Sequence, residues 1–200
     1  MGKDKAVKGK AVKVKQVCIL PLTRERWPDL EQLFGAKGGC GGCWCMSWRT
    51  SRQEFNEHKG AGNKAALRRR VTSAKSPGLL LYADGLPVGW CSLGPRDEFP
   101  ALARSRVWAP VDERSVWSIT CFFIQRPYRN LGLSVTLLEG AVAYARKQGA
   151  KILEGYPLDL KRQRLPDAFV WTGLVASFRR AGFVEAIRRS RTKPIMHYYL

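Results

Sequence analysis

The sequence predicts a mixed α/β domain built around a central β-sheet. Apolar segments of strand length alternate along the chain with segments whose apolar residues recur every three or four positions, the pattern of amphipathic helices. Residues 116–124 (VWSITCFFI) are apolar on both faces, as in a buried central strand, and the clearest helix of the chain follows at 132–147. A chain of 200 residues suits one domain of this kind, and we expect no second one.

Local signals near the amino terminus predict one strand and two helical regions. Residues 17–22 (VCILPL) are a short apolar run, which is typical of a strand. Residues 23–34 are predicted to be helical, because Pro28 suits a first turn and Gly35 suits the residue after the last turn. Residues 51–73 also have a helical pattern, which a pair of glycines interrupts.

A β-hairpin is predicted in the middle of the chain. Residues 78–83 and 86–93 are apolar strands joined by Asp84-Gly85, a dipeptide typical of a two-residue hairpin turn. Residues 94–115 carry three prolines among mixed charges. We expect this stretch to be a long irregular loop beside a site, because long loops in compact domains are often functional.

The carboxyl-terminal elements are predicted to be three strands and a helix. Residues 151–156 (KILEGY) form a strand, and residues 174–181 form a helix after a charged, proline-containing loop. Two strands, at 183–190 and 195–200, complete the domain.

The charge of the chain favours anionic partners. Lys and Arg number 35 against 16 Asp and Glu, which gives a net charge of +19. The hydrophobic fraction of 45% and the charged fraction of 26% are ordinary for a globular protein and exclude global disorder.

Part of this charge lies in a predicted tail. Residues 1–15 contain six lysines and one aspartate without an aromatic residue, so we expect a basic disordered tail there and a single folded domain at 16–200. The tail lacks the apolar core of a secretory signal, and no segment approaches the ~20 apolar residues of a membrane span. We therefore expect a cytoplasmic protein without a membrane partner, either a monomer or a homodimer.

Three of the six cysteines form a cluster, Cys40-Gly-Gly-Cys43-Trp-Cys45. A structural zinc site needs four ligands, usually in two pairs, and neither His58 nor His197 supplies a matching spacing. We expect reduced thiols in a glycine-rich loop and no metal.

The junction between the buried strand and the long helix is the most informative part of the sequence. A helix that begins after a tight turn exposes unpaired backbone N–H groups and the positive end of its dipole, and both suit a phosphate. Gly132 permits close approach of an anion, Asn130 tolerates a left-handed conformation, Ser134 is small, and Arg129 adds a positive charge. The alternative is an ordinary strand–helix loop with a solvent-facing arginine.

The run CFFIQRPYRNLGLSVTLLEGAVAYARKQGA at this junction resembles the acetyl-CoA-binding motif of the GNAT superfamily of N-acetyltransferases, Gln/Arg-x-x-Gly-x-Gly/Ala after a strand. Arg129-x-x-Gly132-x-Ser134 matches it, with serine in place of the usual Gly or Ala. The segment FRRAGF (178–183) resembles the closing helix-to-strand motif of the same fold, and the resemblance extends over about 78–190. The N-terminal third resembles a bacterial subgroup of unassigned substrate.

This resemblance implies a GNAT-like fold whose mostly antiparallel sheet splays at the cofactor site and is flanked by helices. It implies that acetyl-CoA lies along the backbone of the central strand, with its pyrophosphate at the start of the long helix and a backbone N–H near Phe123 on the thioester carbonyl. The cofactor-binding residues implied are Phe122, Phe123, Ile124, Arg129, Asn130, Leu131, Gly132, Leu133 and Ser134.

The implied reaction is direct attack of an amine acceptor on acetyl-CoA while both are bound. The family often places a tyrosine as general acid where this chain has Phe178. Glu154 and Tyr156 on the next predicted strand are the candidate catalytic residues, with a water chain or a structural role for Tyr156 as alternatives.

An acceptor pocket lined by Trp44, Met46 and Trp48 is a further hypothesis, although core packing explains these residues almost as well. Cys121 has apolar neighbours in the sequence and is expected to be a buried small residue. The alternative function is a basic nucleic-acid-binding module on a degenerate transferase fold; for the transferase itself, we expect only weak, non-specific binding of nucleic acid.

Overall fold

The structure, a computed structural model, describes residues 12–71, 76–160, 165–166 and 169–200. Most of the predicted tail and the basic cluster at 161–164 lie outside these residues. At the end of the predicted tail, the backbone amide of Lys15 donates to Asp84 Oδ1 at 3.1 Å, and that of Gln16 does so at 2.8 Å.

Seven strands form one open sheet in the described part of the chain, in the order β1-β2-β3-β4-β5-β7-β6. The strands are β1 (Val17–Pro21), β2 (Gly78–Ala83), β3 (Leu86–Pro95), β4 (Trp117–Ile124), β5 (Ile152–Gly155), β6 (Val184–Arg188) and β7 (Pro194–Tyr199). Every neighbouring pair is antiparallel except β4 and β5, which are parallel. The mixed, mostly antiparallel sheet expected from the sequence is confirmed.

The helices lie on both faces of this sheet. They are α1 (Trp27–Phe34), α2 (Arg52–Glu57), α3 (Ala61–Val71), α4 (Pro100–Ala103), α5 (Leu133–Lys147) and α6 (Val175–Arg180), with 3₁₀ helices at Arg96–Glu98 and Arg126–Tyr128. Helix α5 packs on one face through Leu137 and Ala141, and α1 packs on the other through Leu30 and Leu33. Over the described ranges, none of the helices combines the length and apolarity needed to cross a bilayer.

The hairpin turn confirms the sequence prediction in detail. Asp84 has a φ of 49° and Gly85 a φ of 81°, the pair of positive values that a type I′ turn requires. The stretch 94–115 is more ordered than predicted, because β3 continues to Pro95 and is followed by a 3₁₀ helix and α4. Pro95 is tolerated there because it lies at the end of its strand.

Strands β4 and β5 pair over only three positions and then separate. The pairing ends at Ile119 and Gly155, although β4 continues to Ile124. The ring of Phe178 from α6, which has no exposed surface, lies where further pairing would occur. A Cβ added at Gly155 would lie 2.1 Å from its Cε1, and one added at Gly173 would lie 2.9 Å from its Cε2. Two glycines thus form the slot for this ring, and the open edge of β4 results.

We expect Gly155→Ala to lower the free energy of unfolding by about 1–3 kcal/mol, because the added methyl group overlaps the Phe178 ring and overpacks the core. Denaturant titration measures the change. Gly89→Ala, in β3, is the control, since its Cβ would meet no atom closer than 3.1 Å and we expect a smaller loss. Equal losses at both positions would contradict the tight packing of the ring.

Candidate active site

A cavity of about 810 Å³ opens beside the separated part of β4. Four parts of the chain line it: the edge of β4, the start of α5, the glycine-rich loop at 35–43 with the adjoining segment 44–49, and residues 170–180 around the start of α6. The cavity therefore lies where the sheet splays, at the carboxyl end of β4.

The turn before α5 has the backbone geometry that the sequence predicts. Asn130 has a φ of 63° and Gly132 a φ of 79°, both left-handed. Gly132 is the N-cap of α5 and forms no side-chain cap hydrogen bond, and its carbonyl accepts from the amide of Val135 at 2.8 Å. The amides of the first turn point along the helix axis toward the cavity mouth. An added Cβ at Gly132 would meet nothing within 4 Å, so there is open space above this turn.

Eight of the nine residues predicted to bind the cofactor line the cavity. The exception is Leu131, whose side chain is 42% exposed and is absent from the described cavity wall. Arg129 is held in place because its Nε donates to the carbonyl oxygen of Ile124 at 2.9 Å. Ser134 Oγ lies 3.2 Å from Ser177 Oγ, which ties the start of α5 to α6.

The open edge of β4 presents the backbone of Phe122 and Ile124, whereas that of Phe123 faces β3. The amide of Gln125 donates to the carbonyl oxygen of Val88 on β3 at 2.9 Å. In an antiparallel pair, the N–H and C=O groups of every second residue face the same neighbouring strand, so those of Phe123 also face β3. The amide of Phe122 donates instead to the carbonyl oxygen of Trp171 at 2.6 Å, across the splay. Of the amides of Phe122 and Phe123, the one that turns away from β3 is therefore that of Phe122.

Of the three residues predicted to line an acceptor pocket, only Trp48 does so. Trp44 and Met46 are 5% and 1% exposed and pack in the core around α1. Their side chains point inward because Trp44 and Cys45 both have positive φ, at 41° and 47°, which turns the chain between them. The prediction for Trp44 and Met46 is corrected to core packing, the alternative left open by the sequence.

Arg49 fixes the end of the segment 44–49. Arg49 is 2% exposed. Its Nη1 donates to Glu98 Oε2 at 2.7 Å, and its Nη2 donates to the carbonyl oxygens of Pro77 at 2.9 Å and Leu93 at 3.3 Å. Burial lowers the pKa of Arg49, and the ion pair with Glu98 opposes that shift. Through these partners, the buried guanidinium ties the segment 44–49, which lines the cavity, to β3.

Glu154 and Tyr156, the predicted catalytic residues, lie together in a buried polar network. Both are 1% exposed. Tyr156 donates to Glu154 Oε1 at 2.5 Å, and His197 Nε2 lies 2.8 Å from Glu154 Oε2. Arg96 binds Glu154 and donates to the Tyr156 hydroxyl at 2.7 Å, and Ser118 Oγ lies 2.7 Å from the same hydroxyl.

This network is separate from the cavity. Neither Glu154 nor Tyr156 is part of the described wall, and the ring of Trp108 packs over Tyr156 with centroids 5.8 Å apart. Burial and the charge of Glu154 raise the pKa of Tyr156. The structure thus places both side chains in contacts that join β5 to β4, to β7 and to the 3₁₀ helix at Arg96–Glu98.

The cavity contains functional groups that sequence reasoning missed. Its wall near Trp48 includes further aromatic rings and thiols, among them Phe55, Trp171, Cys45 and Cys121. The Sγ atoms of Cys45 and Cys121 are 3.2 Å apart. The sequence carries no signal for this contact, because the pairing depends on how two distant segments fold together. Within the described ranges, no three His, Cys, Asp or Glu side chains are arranged to hold a metal ion.

The splayed sheet, the helix start and the cavity are features of a transferase of activated acyl groups, and sequence comparison agrees. Residues 44–164 match the acetyltransferase (GNAT) family. The chain belongs to this family and is an acyl-CoA-dependent acetyltransferase. This result favours the transferase prediction over a nucleic-acid-binding module. No curated protein sequence gives a significant match.

Solved structures share the fold at low sequence identity. PaiA N-acetyltransferase of Thermoplasma acidophilum, in complex with coenzyme A, is 16% identical, with a TM-score of 0.53, and the match covers 93% of this chain and 100% of that one. A GNAT family acetyltransferase of Listeria monocytogenes is 10% identical, with a TM-score of 0.56 and coverage of 92% and 95%. Agmatine N-acetyltransferase is 11% identical, with a TM-score of 0.54 and coverage of 93% and 100%.

We expect Tyr156→Phe to lower the free energy of unfolding by about 1–3 kcal/mol, because it leaves buried partners of the hydroxyl unpaired. Thermal and denaturant unfolding measure this loss. Tyr199→Phe is the control, since Tyr199 is 55% exposed and surface changes usually stay within about 0.5 kcal/mol. A Tyr156→Phe protein as stable as this control would contradict the structural role of the network.

Proposed function

We propose that the chain transfers the acetyl group of acetyl-CoA to a primary amine of a small molecule or peptide, by direct attack with both substrates bound. The observation that carries the proposal is the start of α5, where the left-handed Gly132 opens the helix N-terminus onto a cavity beside the unpaired edge of β4. The Thermoplasma protein, which shares the fold and was solved with coenzyme A, supports the choice of cofactor. Agmatine N-acetyltransferase, by its name, supports an amine acceptor.

The residues of the turn fit the phosphates of coenzyme A. The amides of the first turn of α5 bind the pyrophosphate, because a helix N-terminus offers unpaired donors and a positive dipole end. The open space at Gly132 lets the phosphate oxygens approach those amides. Arg129 and Arg180, which line the same cavity, add positive charge for the anionic cofactor.

The open edge of β4 fits the pantetheine arm. The amide of Phe122 and the carbonyl of Ile124 face the cavity, as the bonds to Trp171 and Arg129 demonstrate. Binding of the arm exchanges the Phe122 donor from the Trp171 carbonyl to the cofactor. This amide then polarises the thioester carbonyl, which lies in a site that excludes bulk water.

Acetyl-CoA supplies the activated acetyl group, and the protein holds the amine and the thioester in position for attack. The amine approaches from the end of the cavity near Trp48, where Phe55 and Trp171 also form the wall. These aromatic surfaces favour an acceptor with an apolar body, and the arginines of the cavity disfavour a polycationic one. Glu154 and Tyr156 are not proposed as acid or base, because both are engaged in the buried network.

We place the reaction in the cytoplasm. The six cysteines are all free thiols, including three that are exposed or half-buried, Cys18, Cys40 and Cys43. A reducing compartment maintains such thiols.

The variant Gly132→Val tests the placement of the pyrophosphate. We expect acetyl-CoA to bind at least about tenfold more weakly, because the side chain occupies the space above the amides and costs roughly 1.4 kcal/mol or more of binding free energy. Isothermal titration calorimetry measures the dissociation constant. Gly149→Val is a matched control at the other end of α5, since Gly149 has the same φ of 79° and the same open surroundings. If both variants bind the cofactor as tightly as the parent, the placement is wrong.

Release of free coenzyme A thiol tests the reaction itself. We expect thiol release that depends on both the chain and a primary amine, faster for amines with an apolar aromatic body than for a polycationic amine of similar size. The panel includes amino acids and peptides, and each acceptor is also incubated with acetyl-CoA alone. Product masses identify an amide. Thiol release no faster than background for every amine would refute amine acetylation, while titration with acetyl-CoA reports on cofactor binding separately.

A further inference from the structure

Four of the six cysteines of the chain line one end of the cavity. They are Cys40, Cys43 and Cys45 from the glycine-rich side and Cys121 from β4. Cys45 and Cys121 are 76 positions apart in the sequence, yet their Sγ atoms are 3.2 Å apart. A pair of thiols in contact thus lies in the cavity wall, one from the segment 44–49 and the other from β4.

We propose that Cys45 and Cys121 are a site of reversible oxidation, and that the disulfide they form locks the segment 44–49 to β4 beside the acceptor end of the cavity and lowers acetyl transfer. The effect on transfer rests on the proposed function, whereas the formation of the bond does not. Small oxidants of the peroxide or disulfide class are the reactants for this site.

The geometry of the pair needs little change for the bond to form. A disulfide has an S–S distance of about 2.05 Å, so the sulfur atoms must approach by roughly 1.2 Å from their separation of 3.2 Å. Cys45 follows Trp44, and both have positive φ values, 47° and 41°. Non-glycine residues in this conformation store strain, which is typical of segments with a second accessible state.

The other wall is also irregular at this position. Cys121 pairs with Ser92 and Ile119 with Leu93, so β4 has one more residue than β3 between these pairs, and Thr120 forms a bulge. The sulfur of Cys121 therefore projects from a kinked part of the strand. Cys121 directly precedes Phe122 in the sequence, and the amide of Phe122 is the proposed donor to the thioester.

The chemistry of the step balances with one oxidant. Two thiols give up two protons and two electrons to hydrogen peroxide, which yields the disulfide and two water molecules, or to a disulfide such as oxidised glutathione, which yields two thiols. Cys45 and Cys121 are buried, at 6% and 8% exposed, but both lie in the cavity wall, which is the route for a molecule as small as hydrogen peroxide. Cys43, half-buried in the same wall, is a nearby thiol through which exchange can reach Cys45.

In the reduced protein, the thiol of Cys45 is not a spontaneously reactive thiolate. The hydrogen bond with Cys121 and burial raise the pKa of Cys45, and the indole Nε1 of Trp90 donates to its sulfur at 3.1 Å. The dithiol therefore persists in a reducing compartment and reacts when oxidant accumulates. The bond ties the segment that carries Trp48 to β4, so this part of the cavity wall can no longer adjust to the acceptor.

Oxidised glutathione and hydrogen peroxide test the proposal on the full chain. Peptide mapping by mass spectrometry should find a Cys45–Cys121 disulfide, which dithiothreitol reverses. The melting temperature should rise by roughly 5–15 °C, because the bond closes a long loop. Acetyl transfer by the oxidised protein should fall at least about fivefold and return on reduction, whereas the oxidised Cys121→Ala variant should keep the rate of its own reduced form.

Cys91→Ala is the matched control. Cys91 is fully buried in β3, is not part of the described cavity wall, and is free, so its removal should leave bond formation and the response to oxidant intact. The proposal is overturned if mapping finds only another pair such as Cys40–Cys43, if no disulfide forms, or if the mapped bond leaves acetyl transfer unchanged. Should the reduced chain transfer no acetyl group, the proposed function fails, and mapping and melting still decide whether the bond forms.

Discussion

The ring of Phe178 lies between two parallel strands that would otherwise continue to pair, and the site depends on that separation. Gly155 on β5 and Gly173 before α6 have no side chains, so the ring fits between them and contacts Phe122 edge-to-face at 5.9 Å. Because β5 turns away after Gly155, the backbone groups of β4 that face the cavity have no strand partner and bond instead to Trp171 and Arg129. A hydrophobic contact thus produces the polar edge on which the proposed binding of a cofactor depends.

A second buried contact completes the cavity from the opposite side. The loop with five glycines is held by turns, such as the bond from the Gly42 amide to the Lys37 carbonyl at 2.8 Å, and Arg49 anchors the segment that follows it through Glu98 and two backbone carbonyls. Burying a guanidinium is costly, and this cost is offset only when each of its partners is in place. The wall that contains Trp48 and Cys45 is therefore positioned both by this buried charge and by the packing of Trp44 and Met46, whereas the wall formed by β4 is positioned by packing.

The parts of this structure that the sequence predicts are those decided by local chemistry. The hairpin at Asp84, the left-handed residues Asn130 and Gly132, and the helix that follows them all require particular residue types at fixed spacing. The positions of Trp44, Trp48 and Glu154 depend on non-local facts. Trp44 packs on Trp27 and Phe34 of α1, and an ion pair with Arg96 and a hydrogen bond with His197 hold Glu154 inside the sheet. Neither follows from spacing along the chain.

The net charge of +19 and the geometry of the turn act at different ranges. Long-range attraction raises the rate at which an anionic ligand such as acetyl-CoA reaches the protein, and salt at about 0.1–0.15 M screens this attraction beyond about 8–10 Å. The amides at the start of α5 act only at contact, where screening by salt is small. High salt should therefore slow association more than it weakens the bound complex, because the charge outside the cavity contributes to encounter, while the proposed contacts at Gly132 act only in the complex.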